Sequence, residues 1–128
     1  MTDGTRRKDR LLLVAPQNED TMLLAGLLTT AGYSLSTVFD LDTAVALCAA
    51  AMPDHAIIDL STPGVDGASL AAKLRTLDAR RALRIVAITG RDKQPKHDAI
   101  DIELPHPATV TKLIDALASA QRGRACQE

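Results

Sequence analysis

A chain of 128 residues with 46% hydrophobic content and a formal charge of −1 is long enough for one globular domain with a substantial core. Balanced charge and only two aromatic residues, Tyr33 and Phe39, exclude a stacking platform for nucleic acid, and no apolar run reaches the ~20 residues that span a bilayer. Cys48 and Cys126 form neither a metal spacing nor a CxxC pair, which suits a reducing cytoplasm.

Residues 1–10 read as a basic leader carrying Arg6, Arg7, Lys8 and Arg10. Leu11 to Val14 is an apolar run of strand length, after which Asn18 offers an N-cap, with Glu19 and Asp20 suited to the positive end of a helix. Leu23, Leu24, Leu27 and Leu28 are expected to form the inward stripe of that helix, closed by Gly32. Ser34 to Val38 predicts a second strand, and Leu41 to Met52 an alanine-rich helix capped by Asp40 or Asp42 and stopped by Pro53. His55 to Asp59 predicts a third strand, with His55 as a turn or edge residue, and the turn Thr62-Pro63-Gly64-Val65 follows. Asp66 caps the next helix, to about Leu77, with Leu70, Leu74 and Leu77 facing inward. Arg84 to Ile88 and Ile102 to Leu104 predict two more strands, Asp101 and Glu103 are expected to be exposed, and Thr109 caps a last helix carrying Val110, Leu113, Ile114 and Leu117. Residues 122–128 read as a tail.

Strands that are apolar throughout, separated by amphipathic helices, predict an α/β fold with a doubly wound five-stranded parallel sheet covered on both faces. In such sheets sites form beyond the carboxyl ends of the strands. The residues there are Ala15 and Pro16, Asp59, Thr89 and Gly90, and Pro105, His106 and Pro107. Asp59 therefore falls at a rim, where its carboxylate stays solvated.

No GxGxxG, Walker, HExxH or GxSxG motif is present, and Gly64 and Gly67 make no dinucleotide fingerprint. His97 sits in a polar stretch without metal-ligand spacing. His106, between two prolines, is either a structural histidine or a donor to an anion at the rim.

The segments IIDLSTPGVDG and RIVAITG, with the opening LLLVAPQNEDTMLLAGLLTTAGY and the closing LPHPATVTKLIDAL, resemble the receiver domains of bacterial response regulators and hybrid histidine kinases over residues 11–121. The resemblance implies a flavodoxin-like fold and a place in a two-component phosphorelay, in which an aspartate accepts a phosphoryl group. By resemblance, Asp59 is the phosphoacceptor, Ser61 supplies a carbonyl to Mg2+, Thr89 is the switch hydroxyl and His106 the phosphoryl-contact candidate. The family's acidic pair falls on Ala15 and Pro16, its lysine on His106 and its aromatic switch on Glu103. Mg2+ is thus implied as cofactor but left with Asp59 and Ser61 alone, a poor cage for an ion that dehydrates reluctantly. Glu19 or Asp20 could substitute for the pair, although the helix dipole accounts for both.

Sixteen residues separate Thr89 from His106, which leaves room for about one helical turn and shortens the fourth helix that receivers place there. The resemblance also implies a histidine kinase or phosphotransfer protein as partner, leaves homodimerisation open, and makes the chain a signalling module rather than an enzyme, without nucleic-acid or membrane partners. Two functions follow: a receiver that still accepts phosphate on Asp59, or a phosphorylation-independent pseudo-receiver that regulates a partner through its surface. A flavodoxin-like small-ligand domain is a third, for which no fingerprint speaks.

Overall fold

Strand β1, Arg10–Val14, carries leucine and valine on successive positions, so it has no polar face to turn toward water and must lie inside a sheet covered on both sides. The computed structural model describes residues 9–64, 66–78, 83–89, 99–105 and 109–127, with side chains of the last helix described to residue 118. Around β1 it places α1 (Glu19–Thr30), β2 (Ser34–Val38), α2 (Leu41–Ala50), β3 (His55–Asp59), α3 (Gly67–Leu77), β4 (Arg84–Thr89), β5 (Ile102–Pro105) and α4 (Val110–Gln127). The five strands form one sheet in the order β2-β1-β3-β4-β5, and every described pairing is parallel. The order reverses between β1 and β3, which makes that gap the topological switch point.

Alternation along the strands builds two cores. Leu12, Val14, Ala56, Ile58, Ile85 and Ala87 face α2 and α3, packing on Ala44, Cys48, Leu70 and Leu74. Leu11, Leu13, Ile57, Val86 and Ile88 face α1 and α4, packing on Leu28, Leu113 and Leu117. Burial pushes the Cys48 thiol up to about 11.

The helix starts follow the expected capping chemistry. Side chains of Asn18, Asp40 and Asp66 accept from the backbone N–H of Thr21, Thr43 and Ser69, and Thr109 Oγ1 accepts from Lys112 N–H. The bonds from Thr43 hold the Asp40 carboxyl below its ordinary range. The end of α1 is a Schellman turn: Gly32, at φ +111°, donates to Thr29 O while Tyr33 donates to Leu28 O.

Several expectations need correction. The inward face of α1 is Thr21, Leu24 and Leu28, whereas Leu23 is 66% and Leu27 43% exposed. Each residue turns the helix by ~100°, so Leu23 and Leu27 lie a step off the stripe the sheet can cover. Leu77, at the end of α3, is exposed for the same reason. Helix α2 stops at Ala50, and α4 continues to Gln127, through the residues read as a tail. Arg10 belongs to β1 rather than to the leader. His55 is neither turn nor edge: it opens the middle strand, 1% exposed, with Nε2 3.2 Å from Asp9 Oδ2 and Tyr33 packed edge-on at 5.9 Å. Burial first, and the Asp9 charge second, raise the Tyr33 hydroxyl above its usual value.

Asp101 is half-buried rather than exposed, because it meets a cation. The Arg75 guanidinium donates to Leu83 O, to Ala99 O and to Asp101 Oδ2, and Asp101 Oδ2 also accepts from Ile85 N–H at 2.7 Å. This node ties α3 to the start of β4 and to the approach of β5. The expected single helical turn falls on residues 90–98, outside the described residues.

Replacing Arg75 with Met removes three donors from a partly buried site and is expected to cost about 2–3 kcal/mol, read as a lower urea midpoint at unchanged slope. In a Cys126→Ser background, Cys48 is expected to resist a thiol-specific reagent at pH 8 until the chain is unfolded, because burial keeps the thiol protonated and covered.

Candidate functional site

The carboxyl ends of β1, β3, β4 and β5 line one rim. Val14 pairs with Ile58, which puts Ala15 beside Asp59, and Asp59 pairs with Ile88, which puts Thr89 one position beyond. Thr89 in turn pairs with Pro105. The structure thus brings Ala15, Asp59 and Thr89 together on neighbouring strand ends, as the sheet order demands.

Asp59 is half-exposed, and the chain beyond it folds back onto it at once. Its Oδ1 accepts from Ser61 N–H at 2.9 Å and from Ser61 Oγ at 2.6 Å. Its backbone carbonyl accepts from Thr62 N–H at 3.0 Å and from Thr62 Oγ1 at 2.6 Å. Leu60 N–H continues the sheet by donating to Ile88 O at 2.9 Å. Gly64, at φ +74°, then lets the loop turn toward α3. Asp59 is therefore at once a strand end, a turn organiser and a half-exposed carboxylate whose Oδ2 meets no hydrogen-bond donor among the described residues.

Thr89 is half-buried and donates through Oγ1 to Leu104 O at 3.3 Å, so its hydroxyl is turned to the β5 edge. Glu103 is half-buried on β5, opposite Ala87. Ala15 is 2% exposed and its N–H donates to Val38 O, while Pro16 is half-buried. Glu19 and Asp20 are exposed in the first turn of α1, where they face the positive helix end. His106, Gly90, His97 and Val65 lie outside the described residues. Thr62 was not singled out from the sequence, although a hydroxyl next to Pro63 in a turn is a usual backbone-capping position. The Ser61 hydroxyl carries no sequence signal beyond its place two residues after Asp59, where a short polar side chain reaches back to the carboxylate.

A dication needs more than the described residues of this rim offer. Ala15 contributes a methyl group and Pro16 a ring, and among the described residues no cluster of three or more His, Cys, Asp or Glu could hold a metal. Mg2+ prefers six oxygen ligands in near-ideal octahedral geometry. One carboxylate, already engaged by Ser61, and one backbone carbonyl do not fit it.

Comparison with known proteins decides the family. Residues 12–116 match the response regulator receiver domain. The chain belongs to that family. It is 35% identical over 83 residues to the response regulator PleD of Caulobacter vibrioides, covering 65% of this chain and 18% of PleD. It is 38% identical over 66 residues to the transcriptional regulatory protein TcrA of Mycobacterium tuberculosis, covering 52% of this chain and 26% of TcrA. The receiver thus spans a fifth to a quarter of these relatives, whose remaining parts it does not match. In fold it is similar to a CheY-like receiver domain from Methylobacillus flagellatus, with a TM-score of 0.78 at 23% identity over 89% of this chain and 99% of that one. It is similar also to the N-terminal domain of a response regulator/sensory box/GGDEF protein from Carboxydothermus hydrogenoformans, with a TM-score of 0.76 at 20% identity over 92% and 98%. The chain is a receiver domain of a two-component response regulator, a class of module that meets histidine kinases or phosphotransfer proteins. Among its described residues, no helix is long and apolar enough to cross a membrane.

Restoring carboxylates at the two apolar positions tests the reading of the rim. The receiver with Ala15→Asp and Pro16→Asp is expected to melt several degrees higher in millimolar Mg2+ than without it, while the parent chain melts at the same temperature in both; calorimetry with and without a chelator reads the difference.

Proposed function

We propose that this receiver acts as a phosphorylation-independent module, regulating its partner by surface contact rather than through Mg2+-dependent transfer of a phosphoryl group to Asp59. The observation that supports this is Ala15, buried and apolar beside Asp59, with Pro16 next to it. Phosphoryl transfer asks a site mainly for positioning and charge neutralisation. A phosphoryl group brings roughly −1.5 to −2 charges. The rim has no acidic pair to recruit a dication against that charge. At the position of the family's lysine stands His106, whose ordinary pKa of ~6.5 leaves most of it neutral at pH 7. In place of that chemistry, Ser61 already engages one carboxylate oxygen of Asp59 and Thr62 its backbone carbonyl, which ties the residue into its own loop.

A second reading is favoured by one observation: Asp59 and Thr89 keep their places one register position apart at the same rim. Under it Asp59 is a slow phosphoacceptor, Thr89 the switch hydroxyl, and the partner a histidine kinase or phosphotransfer protein. In both readings the chain is a signalling module and not an enzyme, and it works in the cytoplasm.

Intact-mass measurement after incubation with acetyl phosphate and millimolar Mg2+ separates the two. No added phosphoryl group is expected, and beryllofluoride is expected to leave the amide resonances of residues 59–62 and 89 unmoved. A mass gain that disappears in Asp59→Ala would overturn the proposal in favour of the second reading.

A further inference from the structure

At the opposite end of the sheet from Asp59, a cavity of about 240 Å3 opens between α2 and the first residues of β1 and β2. It exists because α2 stops at Ala50 and leaves one corner of the sheet uncovered. On β2, Val38 is buried in the α2-facing core, but Ser36 and Ser34, at the same side of the strand, are exposed. Arg10 pairs directly with Ser34, and Leu12 with Ser36, so the floor is a strip of one guanidinium, two hydroxyls and a leucine. Leu47, Cys48, Ala51 and Pro53 make the apolar wall. With its thiol pushed up to about 11, Cys48 adds no charge to that wall near neutral pH.

Arg10 brings a guanidinium to the lining. Arg10 donates through one guanidinium nitrogen to Ala51 O at 3.4 Å, a long bond that meets the negative end of α2. The Asp54 carboxylate accepts from the Arg10 backbone N–H at 2.8 Å. No carboxylate of a described residue pairs with the guanidinium. Its planar set of donors has the geometry that a carboxylate accepts two at a time. Apolar cavities of about 150 Å3 hold a benzene ring, so one of this size has room for a short aliphatic body as well as an anionic head.

We propose that this cavity is a binding site for a short-chain aliphatic carboxylate, its head on Arg10 and Ser34 and its chain against Leu12, Leu47 and Pro53. The site lies away from the Asp59 rim, so its fate is independent of the reading given above.

Hexanoate is the probe, and hexanamide its uncharged control. In amide-resolved titrations of the full chain, hexanoate is expected to shift Ser34, Ser36, Ala50 and Ala51 saturably and hexanamide to bind at least about tenfold more weakly, the loss that one charge-assisted hydrogen bond represents. Arg10→Gln is expected to weaken hexanoate by a similar factor and Arg10→Lys by less. Ser36→Leu, on an exposed edge position, is expected to abolish binding by filling the cavity while the far-UV spectrum and melting temperature hold. Equal binding of the amide, shifts centred elsewhere, or no shifts at tens of millimolar hexanoate would overturn the proposal. So would the same shifts on removal of residues 1–8 alone, which would make that segment the occupant.

Discussion

In the central strands of a parallel sheet that is apolar on both faces, an ionised group is tolerated only where the strand runs out. That constraint puts Asp59 where it is. Inside β3, between Ile57 and the layers of α1 and α4, a carboxylate would have to shed its hydration against leucine and valine, at a cost of several kcal/mol that no partner there repays. At Asp59 the strand makes its last pairing, water reaches the side chain, and Ser61 donates to one carboxylate oxygen. The same constraint explains why Ala15 and Thr89 fall beside it: each is the first residue past, or the last residue of, an adjoining apolar strand.

Given that position, the loop after β3 has two tasks, and the four hydrogen bonds to Asp59 divide them. Thr62 holds the Asp59 carbonyl and so closes the chain reversal. Ser61 holds the carboxylate and so fixes where its charge points. These bonds come from residues two and three positions away, so they form with the turn itself and need no distant element. One carboxylate oxygen of the aspartate is thus held by its own loop, and a buried methyl group lies on the neighbouring strand end.

Much of this was legible beforehand. The caps at Asn18, Asp66 and Thr109 stand at the helix starts expected for them, and of the two candidates for α2 it is Asp40 that caps. The five strands begin and end within a residue of their apolar runs, because local capping and hydrophobic patterning act over a few residues. What escaped was set by distance in the chain or by angle on a helix. The α1 stripe was misplaced since four leucines in two adjacent pairs are compatible with more than one rotation, and only the sheet selects Leu24 and Leu28. Asp101 looked like a surface acid until Arg75, 26 residues earlier, arrived beside it. His55 looked like a turn residue because its sequence neighbours are Pro53 and Asp54, whereas its cover comes from Asp9 and Tyr33.

That covered imidazole gives the two ends of the sheet unequal temperaments. At the rim, the carbonyl and one carboxylate oxygen of Asp59 are both held by the loop. At the floor, the His55 ring is enclosed beneath a thin cover, one half-exposed aspartate at Nε2 and one tyrosine ring edge-on, so the base of the sheet holds a buried imidazole where the rim holds a carboxylate open to water.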